Sequence, residues 1–553
     1  MFGVESEYAI TGVSGKGTIG RDELVSRLIH AAGRHLVHLR DTGSPSGLFL
    51  ENGARFYIDC GLHPEMTTPE CTTPWEAARY IKAGERILES LARDVETESG
   101  ASEIMCFRCN VDYSGSGSTW GCHESYLHRK YPANFADQIV PHLVTRVIYT
   151  GAGGFNPRVS WPEFCVAPRL LHTEQVISRD STGNRGIFHT KMESLAADGF
   201  HRCHILCGES LCSETAIVLK IGATALVVAL AEAGLDPSAG LRFHNPVEAL
   251  HTVASDITCR RPLRLAGAGQ TSALAIQRQF LARTRSNLAA LPPWAGEICA
   301  LWHRTLDLLE GAPDSAAASL DWAIKYRLFH GRAARHGFAL DRFPFLGSIV
   351  QRMSAALAAV PESGSNTRLS FLAGPQSPIP EEAARARAML SSQGLTLSHL
   401  ENFLSMRDEF YQIDTRFGQL GPRGIFGGMD RRGVLDHSAT GIVDVEGAMH
   451  EPPSVGRARV RSEVIRRLNG DARASCNWQG VLAENGSWLD LSDPFESREV
   501  WSDPNAPNPD ISAEAGLGDD PSRLHHMLDL MRRRYGRSRT RAEGAPAPPE
   551  SPR

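Results

Sequence analysis

Short segments of alternating apolar and polar residues mark the N-terminal part of the chain and predict β-strands. Such alternation points successive side chains to opposite faces of a sheet, so that one face is apolar and the other is polar. The predicted strands lie at residues 2–10, 48–59 and 103–111.

Apolar residues at three- and four-residue spacing predict helices between and after these strands. One helix is expected over residues 21–35. A second, over about residues 74–92, has Thr73 as its N-cap, a proline at its first position and Glu76 at its third. Residues 215–233 are almost entirely apolar, which is typical of a buried helix.

Strands and helices mix along the chain without a regular one-to-one alternation. This order favours an α+β fold, in which helices pack on an antiparallel sheet, over a doubly wound parallel sheet. We expect a catalytic domain at residues 1–450 with a divergent insertion at 334–420, a small C-terminal domain at 451–504 and a disordered tail at 537–553. The tail is predicted from its run of Ala and Pro residues.

Charge and cysteine content narrow the expected partners and compartment. The 553 residues include 58 basic and 63 acidic side chains, a net charge of −5, so we expect neither nucleic acid nor a membrane as a partner. The most apolar stretch, residues 221–231, is shorter than the roughly 20 residues that span a bilayer. Twelve scattered cysteines without a secretory signal predict reduced thiols in the cytoplasm.

Two acidic side chains mark the first strand. Glu5 and Glu7 are two residues apart, so both lie on one face of the strand. A hard divalent ion such as Mg²⁺ between them would relieve their repulsion. The alternative is an exposed strand face that carries two solvated glutamates.

The segment after residue 52 carries a dense set of ionisable groups. Arg55, Tyr57 and Asp59 alternate with apolar residues and therefore share one face, and His63 and Glu65 follow in the next turn. These groups fit the ATP-dependent activation of a carboxylate, because phosphoryl transfer needs charge neutralisation. Attack by an amine on the activated carboxylate then needs a base. No P-loop motif fits the chain, so metal ions and arginines would have to hold the phosphates.

These segments resemble the family that contains the Pup ligase and the Pup deamidase, relatives of glutamine synthetase and glutamate–cysteine ligase. The resemblance is close over about residues 1–329 and looser over 423–494. The motifs that carry it are GVESEY at 3–8, the segment 52–71, GCHESYL at 121–127, GESLCSET at 208–215, SDITCRRPLRL at 255–265 and LDWAIK at 320–325.

The resemblance implies a glutamine synthetase-like sheet and the ligation of Pup, a ubiquitin-like protein, to lysine-bearing target proteins. ATP would phosphorylate the C-terminal glutamate of Pup with the help of Mg²⁺, and a target lysine would displace the phosphate to form an isopeptide bond. The implied positions are Glu5, Tyr57 and Glu65 for metal, Arg55, Thr68 and Trp478 for ATP, and Asp59 as proton acceptor. We add Glu7 and His204 as further metal ligands.

Two activities are open within this family, and a divergent paralogue that ligates another peptide is a third alternative. The connection at residues 11–20 is too short for the long loop of the deamidase, and Cys122 in the GCHE motif also resembles the ligase. In contrast, TTPE at 67–70 and KAGE at 82–85 resemble the deamidase, which would hydrolyse the same bond. We expect the ligase.

Overall fold

The computed structural model of the chain describes residues 1–502 apart from several short segments. The residues outside the description are 16, 60, 131–133, 160, 179–182, 190–194, 268, 360–376, 437–441 and 503–553. The tail predicted at 537–553 therefore lies outside the described residues, as does part of the predicted insertion at 334–420.

The central element is a sheet of twelve strands. The strands of the described chain are β1 (Phe2–Glu7), β2 (Ala9–Ser14), β3 (Gly17–Thr18), β4 (His38–Asp41), β5 (Leu48–Leu50), β6 (Arg55–Ile58), β7 (Pro64–Thr67), β8 (Glu103–Phe107), β9 (Cys122–His128), β10 (Gly154–Phe155), β11 (Phe164–Cys165), β12 (Gln175–Ser178), β13 (Gly186–His189), β14 (His201–Ile205), β15 (Leu263–Arg264), β16 (Gln270–Thr271), β17 (Ser475–Asn477), β18 (Gly480–Leu482) and β19 (Trp488–Asp490). The sheet order is β12-β13-β14-β9-β1-β7-β6-β5-β4-β17-β18-β19. Its neighbouring strands are antiparallel except for the pairs β12–β13 and β4–β17.

Helices cover one face of this sheet, which confirms the α+β prediction. They are α1 (Arg21–His35), α2 (Pro74–Ser99), α3 (Phe135–Thr145), α4 (Val147–Thr150), α5 (Glu214–Glu232), α6 (Pro246–Ala254), α7 (Ala273–Ser286), α8 (Ala295–Gly311), α9 (Asp321–Arg335), α10 (Phe343–Ala358), α11 (Pro380–Ser392), α12 (Leu397–Phe417), α13 (Ile425–Asp430), α14 (Val445–His450) and α15 (Arg457–Leu468). Val4, Tyr126 and Ile205 of the central strands join the main core with residues of α2 and α5. The opposite face of these strands is left for polar side chains.

The predicted boundaries are right at some elements and wrong at others. Helix α1 has the predicted bounds, and α2 starts as predicted, with the Thr73 hydroxyl accepting from the Glu76 N–H at 3.1 Å. The single strand predicted at 48–59 is instead a hairpin, β5–β6. Its turn is the Asn52-Gly53 pair, with Gly53 at φ +81°. This pair is a strong turn signal that the alternation of apolar residues hides.

Helix α5 is long and apolar enough to cross a membrane by length and composition, and 83% of its most apolar window is buried inside the fold. It packs against β9 and five helices (α2, α3, α4, α7 and α8), so it has the contacts of a core helix. The eleven cysteines of the described chain are free thiols, as a reducing compartment requires. The cytoplasmic location stays a prediction.

Two further packing units surround the central sheet. Helices α9 to α12 share an aromatic core that includes Phe343, Phe403 and Phe410, so the described part of the predicted insertion is a helical unit. Near the C-terminus, β17 extends the central sheet beyond β4, and Val460 and Val464 of α15 cover its apolar face. The domain boundary predicted at residue 451 stays a prediction.

A buried charge cluster attaches α15 to the loop after β7. The Arg457 Nε and the Arg461 Nη2 each donate to Glu70 at 2.6 Å, and the two arginine side chains are only 5% and 0% exposed. Burial opposes the charge of Glu70, but the two guanidinium groups outweigh it and lower the pKa of this carboxyl to about 2. Glu70 therefore stays ionised and forms ion pairs with both buried arginines of α15.

Replacing Glu70 tests how strongly this cluster fixes the C-terminal strands. We expect Glu70→Ala to lower the free energy of unfolding by about 3–5 kcal/mol, because it leaves two buried arginines unpaired. The control is Glu463→Ala, which removes a 2.6 Å pair with Arg459 on the exposed side of the same helix and should cost about 0–1 kcal/mol. Equal losses in urea denaturation would contradict the structural role of Glu70.

Candidate active site

The register of the central strands brings the predicted acidic residues to one face of the sheet. Glu7 of β1 lies opposite Glu65 of β7, and Glu65 lies opposite Tyr57 of β6. On the other side of β1, Glu5 lies opposite His123 of β9. Directly opposed residues point to the same face, so these side chains form a single polar cluster opposite the helices.

Glu5 lies at the centre of this cluster. The Tyr57 hydroxyl donates a short hydrogen bond to its Oε1, and the His123 Nδ1 lies 3.4 Å from its Oε2. Burial alone would raise the pKa of Glu5, but the hydrogen bond and charge of His123, with the hydrogen bond from Tyr57, hold it well below its usual range. Glu5 is therefore an ionised carboxylate.

His63 joins the carboxylates of Glu7 and Asp59. Its Nδ1 lies 3.2 Å from Glu7 Oε2 and 3.3 Å from Asp59 Oδ2. Burial opposes its charge, but the two carboxylates raise the pKa of His63 to about 9. Burial likewise opposes the ionisation of Glu7, but the hydrogen bond from His63, with the charges of His123 and Arg169, lowers the pKa of Glu7 to about 2. The His63 imidazolium thus lies between the Glu7 and Asp59 carboxylates and reduces their mutual repulsion.

Asp59 is held in a tight turn between β6 and β7. Its Oδ1 accepts the backbone N–H groups of Gly61 at 2.8 Å and of His63 at 2.7 Å. The other oxygen, Oδ2, faces His63 and is 3.3 Å from its ring nitrogen. One oxygen therefore fixes the side chain, and the second is directed into the cluster.

Glu65 shows that the cluster holds more negative charge than its neighbours neutralise. Its side chain is buried, and burial together with the charges of Glu5, Glu7 and Asp59 raises its pKa well above the ordinary range. Four carboxylates this close cannot all ionise without further cations. The electrostatics therefore favour bound metal.

The donor atoms fit hard divalent cations. They form three groups, each with all donor atoms within 4.8 Å of one another: Glu5, His123 and His204; Glu7, Glu65 and His123; and Glu7, Asp59 and His63. Carboxylate oxygens suit Mg²⁺ and Mn²⁺, whereas imidazole nitrogens suit transition metals such as Zn²⁺ and Fe²⁺. Burial, with nearby Arg202 and His123, lowers the pKa of His204 well below its usual range, so this imidazole is neutral.

A cleft next to the cluster contains two of the three residues predicted to contact ATP. It is lined by Thr68 and Trp478, among others. The Thr68 hydroxyl accepts the Val4 N–H at 3.1 Å. The half-buried Trp478 ring lies 5.0 Å from the Phe49 ring, nearly perpendicular to it.

Arg55, the third residue predicted to contact ATP, lies beside the cluster. Its Nε donates to Asp41 Oδ2 at 2.7 Å, and its guanidinium lies 4.0 Å from the centre of the Tyr57 ring. Asp41 therefore already neutralises this arginine. The contact between Arg55 and ATP stays a prediction, as do the other predicted roles.

His123 belongs to the cluster but is absent from the predicted ligands. It reaches Glu5 only because β9 pairs with β1, a contact between residues more than a hundred positions apart. The available signal was the GCHE motif at 121–124, in which His123 alternates with the buried Cys122 and Glu124. The sequence places His63 among the ionisable groups after Asp59. Its pairing with both Glu7 and Asp59 depends on how this turn folds.

Fold and site together define a class of enzyme in which a cluster of carboxylates lies on one face of an antiparallel sheet, next to a cleft. The chain belongs to the Pup-ligase protein family, whose model matches residues 1–349. Among curated proteins, it is 36% identical over 353 residues to the Pup–protein ligase of Rhodococcus erythropolis strain PR4, covering 62% of this chain and 76% of that one. It is also 36% identical over 352 residues to the Pup–protein ligase of Rhodococcus opacus strain B4, covering 62% and 75%.

Solved structures have the same fold. The ligase PafA in complex with the prokaryotic ubiquitin-like protein Pup matches with a TM-score of 0.68 and 22% identity, over 99% of this chain and 98% of that one. PafA in complex with ADP matches with a TM-score of 0.63 and 22% identity, over 92% and 94%. The antiparallel architecture is therefore that of these ligases.

A side chain at Gly121 would fill the space between the cluster residues. A Cβ there would lie 2.6 Å from His123 Nε2 and 2.9 Å from Glu7 Oε1. We expect Gly121→Ala to displace these side chains and to weaken Mn²⁺ binding in calorimetry by roughly tenfold to a hundredfold. In the control Gly33→Ala, the new Cβ in helix α1 meets nothing within 4 Å, so binding should not change. Unchanged Mn²⁺ affinity in Gly121→Ala would refute the assignment of the cluster as a metal site.

Proposed function

We propose that this chain is a Pup–protein ligase that joins the C-terminal glutamate of Pup to lysines of target proteins at the expense of ATP. The observation that carries this proposal is the cluster of Glu5, Glu7, Asp59 and Glu65 beside the cleft lined by Thr68. Membership of the family supports the reaction. The names of the curated relatives support Pup as the modifier.

In this proposal, one set of residues binds ATP and a second set binds Mg²⁺. Thr68 and the Trp478 indole hold ATP in the cleft, with Arg55 at its phosphate end. Glu5, Tyr57 and Glu65, with Glu7 and His204, hold Mg²⁺. When bound, Mg²⁺ neutralises phosphate oxygens and aligns them for transfer. Its fit rests on the oxygen-rich donor set and on the unneutralised charge at Glu65.

The first step activates the glutamate of Pup. Its γ-carboxylate oxygen forms a bond to the γ-phosphorus of ATP, and ADP leaves with the electrons of the broken bond. The product is a γ-glutamyl phosphate, which has the good leaving group that a free carboxylate lacks. The strands hold the reacting groups in fixed positions, which accelerates the transfer.

The second step forms the isopeptide bond. A lysine ammonium must lose a proton before its nitrogen can attack the acyl carbon, and Asp59 is the proton acceptor in this proposal. The Asp59 Oδ1 is occupied by two backbone N–H groups, whereas among the described residues only His63 lies opposite Oδ2. Oδ2 therefore takes the proton, and phosphate leaves as the amide forms.

The deamidase is the second candidate function, since the same site could direct water at the carbonyl carbon of a glutamine amide or of the isopeptide, with ammonia or the lysine amine as the leaving group. Two observations favour the ligase. The connection between β1 and helix α1 is the short hairpin β2–β3, which leaves no room for a long inserted loop. The curated relatives at 36% identity are named Pup–protein ligases. A Gln-ended Pup peptide with ATP separates the two activities, because only the deamidase would release ammonia.

A gel-shift assay with ATP, Mg²⁺, a Glu-ended Pup peptide and a lysine-bearing target tests the ligase directly. We expect a conjugate band that depends on all four components. Asp59→Asn should lower its rate of formation by roughly 10²–10⁴-fold, the range of general-base catalysis, and leave ADP binding intact in calorimetry.

The control is Asp307→Asn, which changes an exposed aspartate of α8 that pairs with Arg278 and should not alter conjugation. Full conjugation by Asp59→Asn would overturn the assignment of the base. Cleavage of a preformed conjugate, without any ligation, would move the function to the deamidase.

A further inference from the structure

Arg169 differs from the other buried arginines of the described chain. Five arginines are buried there, and four pair with a carboxylate: Arg108 with Glu85, Arg146 with Glu124, and Arg457 and Arg461 with Glu70. No carboxylate lies within ion-pair distance of Arg169 among the described residues. A buried guanidinium without an anion is costly, so this exception requires an explanation.

The backbone around Arg169 holds it rigidly on one side. Its Nη1 donates to the carbonyl oxygens of Leu206 at 2.9 Å and Gly208 at 3.0 Å. Its own backbone N–H donates to Glu209 Oε1 at 2.8 Å. These contacts fix the side chain without neutralising it, since carbonyl oxygens carry only partial charge.

The other edge of the guanidinium has no partner among the residues that the structure describes. Within the described part of the chain, Nε is buried and makes no hydrogen bond, and Nη2 has no acceptor either. Nε–H and one Nη2–H point in the same direction from a guanidinium group, and together they form the fork that receives two oxygens of a carboxylate or a phosphate. Arg169 therefore keeps its anion-binding edge free.

The Nη2 end of this free edge lies near His123 and Glu7 of the carboxylate cluster. The Nη2 of Arg169 would lie 2.9 Å from a Cβ placed on Gly121, the same point that lies 2.6 Å from His123 Nε2 and 2.9 Å from Glu7 Oε1. The absence of a side chain at Gly121 leaves this small space open. The guanidinium of Arg169, the imidazole of His123 and the carboxylate of Glu7 thus surround one gap beside the carboxylate cluster.

We infer that Arg169 is a further catalytic residue, whose free edge donates to anionic oxygens of the reacting group between Pup and ATP. This inference rests on the proposed function. The shared chemistry is an oxyanion, supplied by the γ-carboxylate of the Pup glutamate or by the γ-phosphoryl group. In either case the guanidinium balances the negative charge while the new P–O bond forms and the ADP oxygen departs with its electron pair.

The test compares conjugation by Arg169→Ala and Arg169→Lys with the wild type. We expect Arg169→Ala to lose conjugation by on the order of 10²–10³-fold in kcat, as for the loss of one oxyanion donor. ADP affinity in calorimetry should not change, because ADP lacks the transferred group. Arg169→Lys should recover only part of the rate, since an ammonium keeps the charge and loses the planar fork.

Chemical rescue separates catalysis from a structural role. Guanidinium ion, added below the concentration that unfolds the protein, should restore conjugation by Arg169→Ala, whereas equal ionic strength of sodium chloride should not. Loss of ADP binding and of the thermal transition in both variants, with no rescue, would overturn the inference. Wild-type conjugation rates in Arg169→Ala would also overturn it.

Calorimetry identifies which oxyanion is bound. Weaker binding of the Glu-ended Pup peptide to Arg169→Ala indicates the γ-carboxylate, and weaker binding of a non-hydrolysable ATP analogue, with unchanged ADP binding, indicates the γ-phosphoryl group; both support the inference. If the wild type itself forms no conjugate, the proposed function fails. The peptide and analogue affinities then still show whether Arg169 binds an oxyanion, and unchanged affinities for both overturn the inference.

Discussion

Repulsion among four carboxylates on one face of the sheet is the constraint on which the rest of the site depends. Strand pairing that cannot relax without breaking the sheet brings Glu5, Glu7 and Glu65 together, and the tight turn between β6 and β7 adds Asp59. Tyr57, two histidines and a tight turn neutralise or hydrogen-bond part of this charge, but Glu65 still has a raised pKa. The folded protein thus has a built-in affinity for cations, obtained at a cost in stability that functional sites commonly carry.

The rest of the fold holds this unfavourable arrangement in place. Helices α2 and α5 pack on the opposite, apolar face of the same strands, so the strands cannot rotate their charged face toward solvent. The C-terminal segment contributes to the adjacent cleft, because β17 extends the sheet and Trp478, which follows it, lines the cleft together with Thr68. The cleft proposed to bind the nucleotide therefore depends on residues from both ends of the chain.

Local periodicity explains why part of the site can be predicted from sequence. Glu5 and Glu7, like Arg55, Tyr57 and Asp59, share a face because of the two-residue strand repeat, which is visible in the sequence itself. His123 and Arg169 depend on strand order and on a loop packed against the cluster, and no local pattern encodes these long-range contacts. For the same reason the α+β class could be predicted, whereas the parallel pairing of β17 with β4 could not.

The central claim is that this cluster activates a carboxylate with ATP, and trapping the activated intermediate tests it most directly. Hydroxylamine captures an acyl phosphate as a hydroxamate without any target lysine. We expect the protein, a Glu-ended Pup peptide, ATP and Mg²⁺ to produce a peptide hydroxamate together with an equal amount of ADP, and to produce none when Mg²⁺ is chelated. Conjugate formation without any trappable hydroxamate, or ADP formation that is independent of the peptide, would contradict the account.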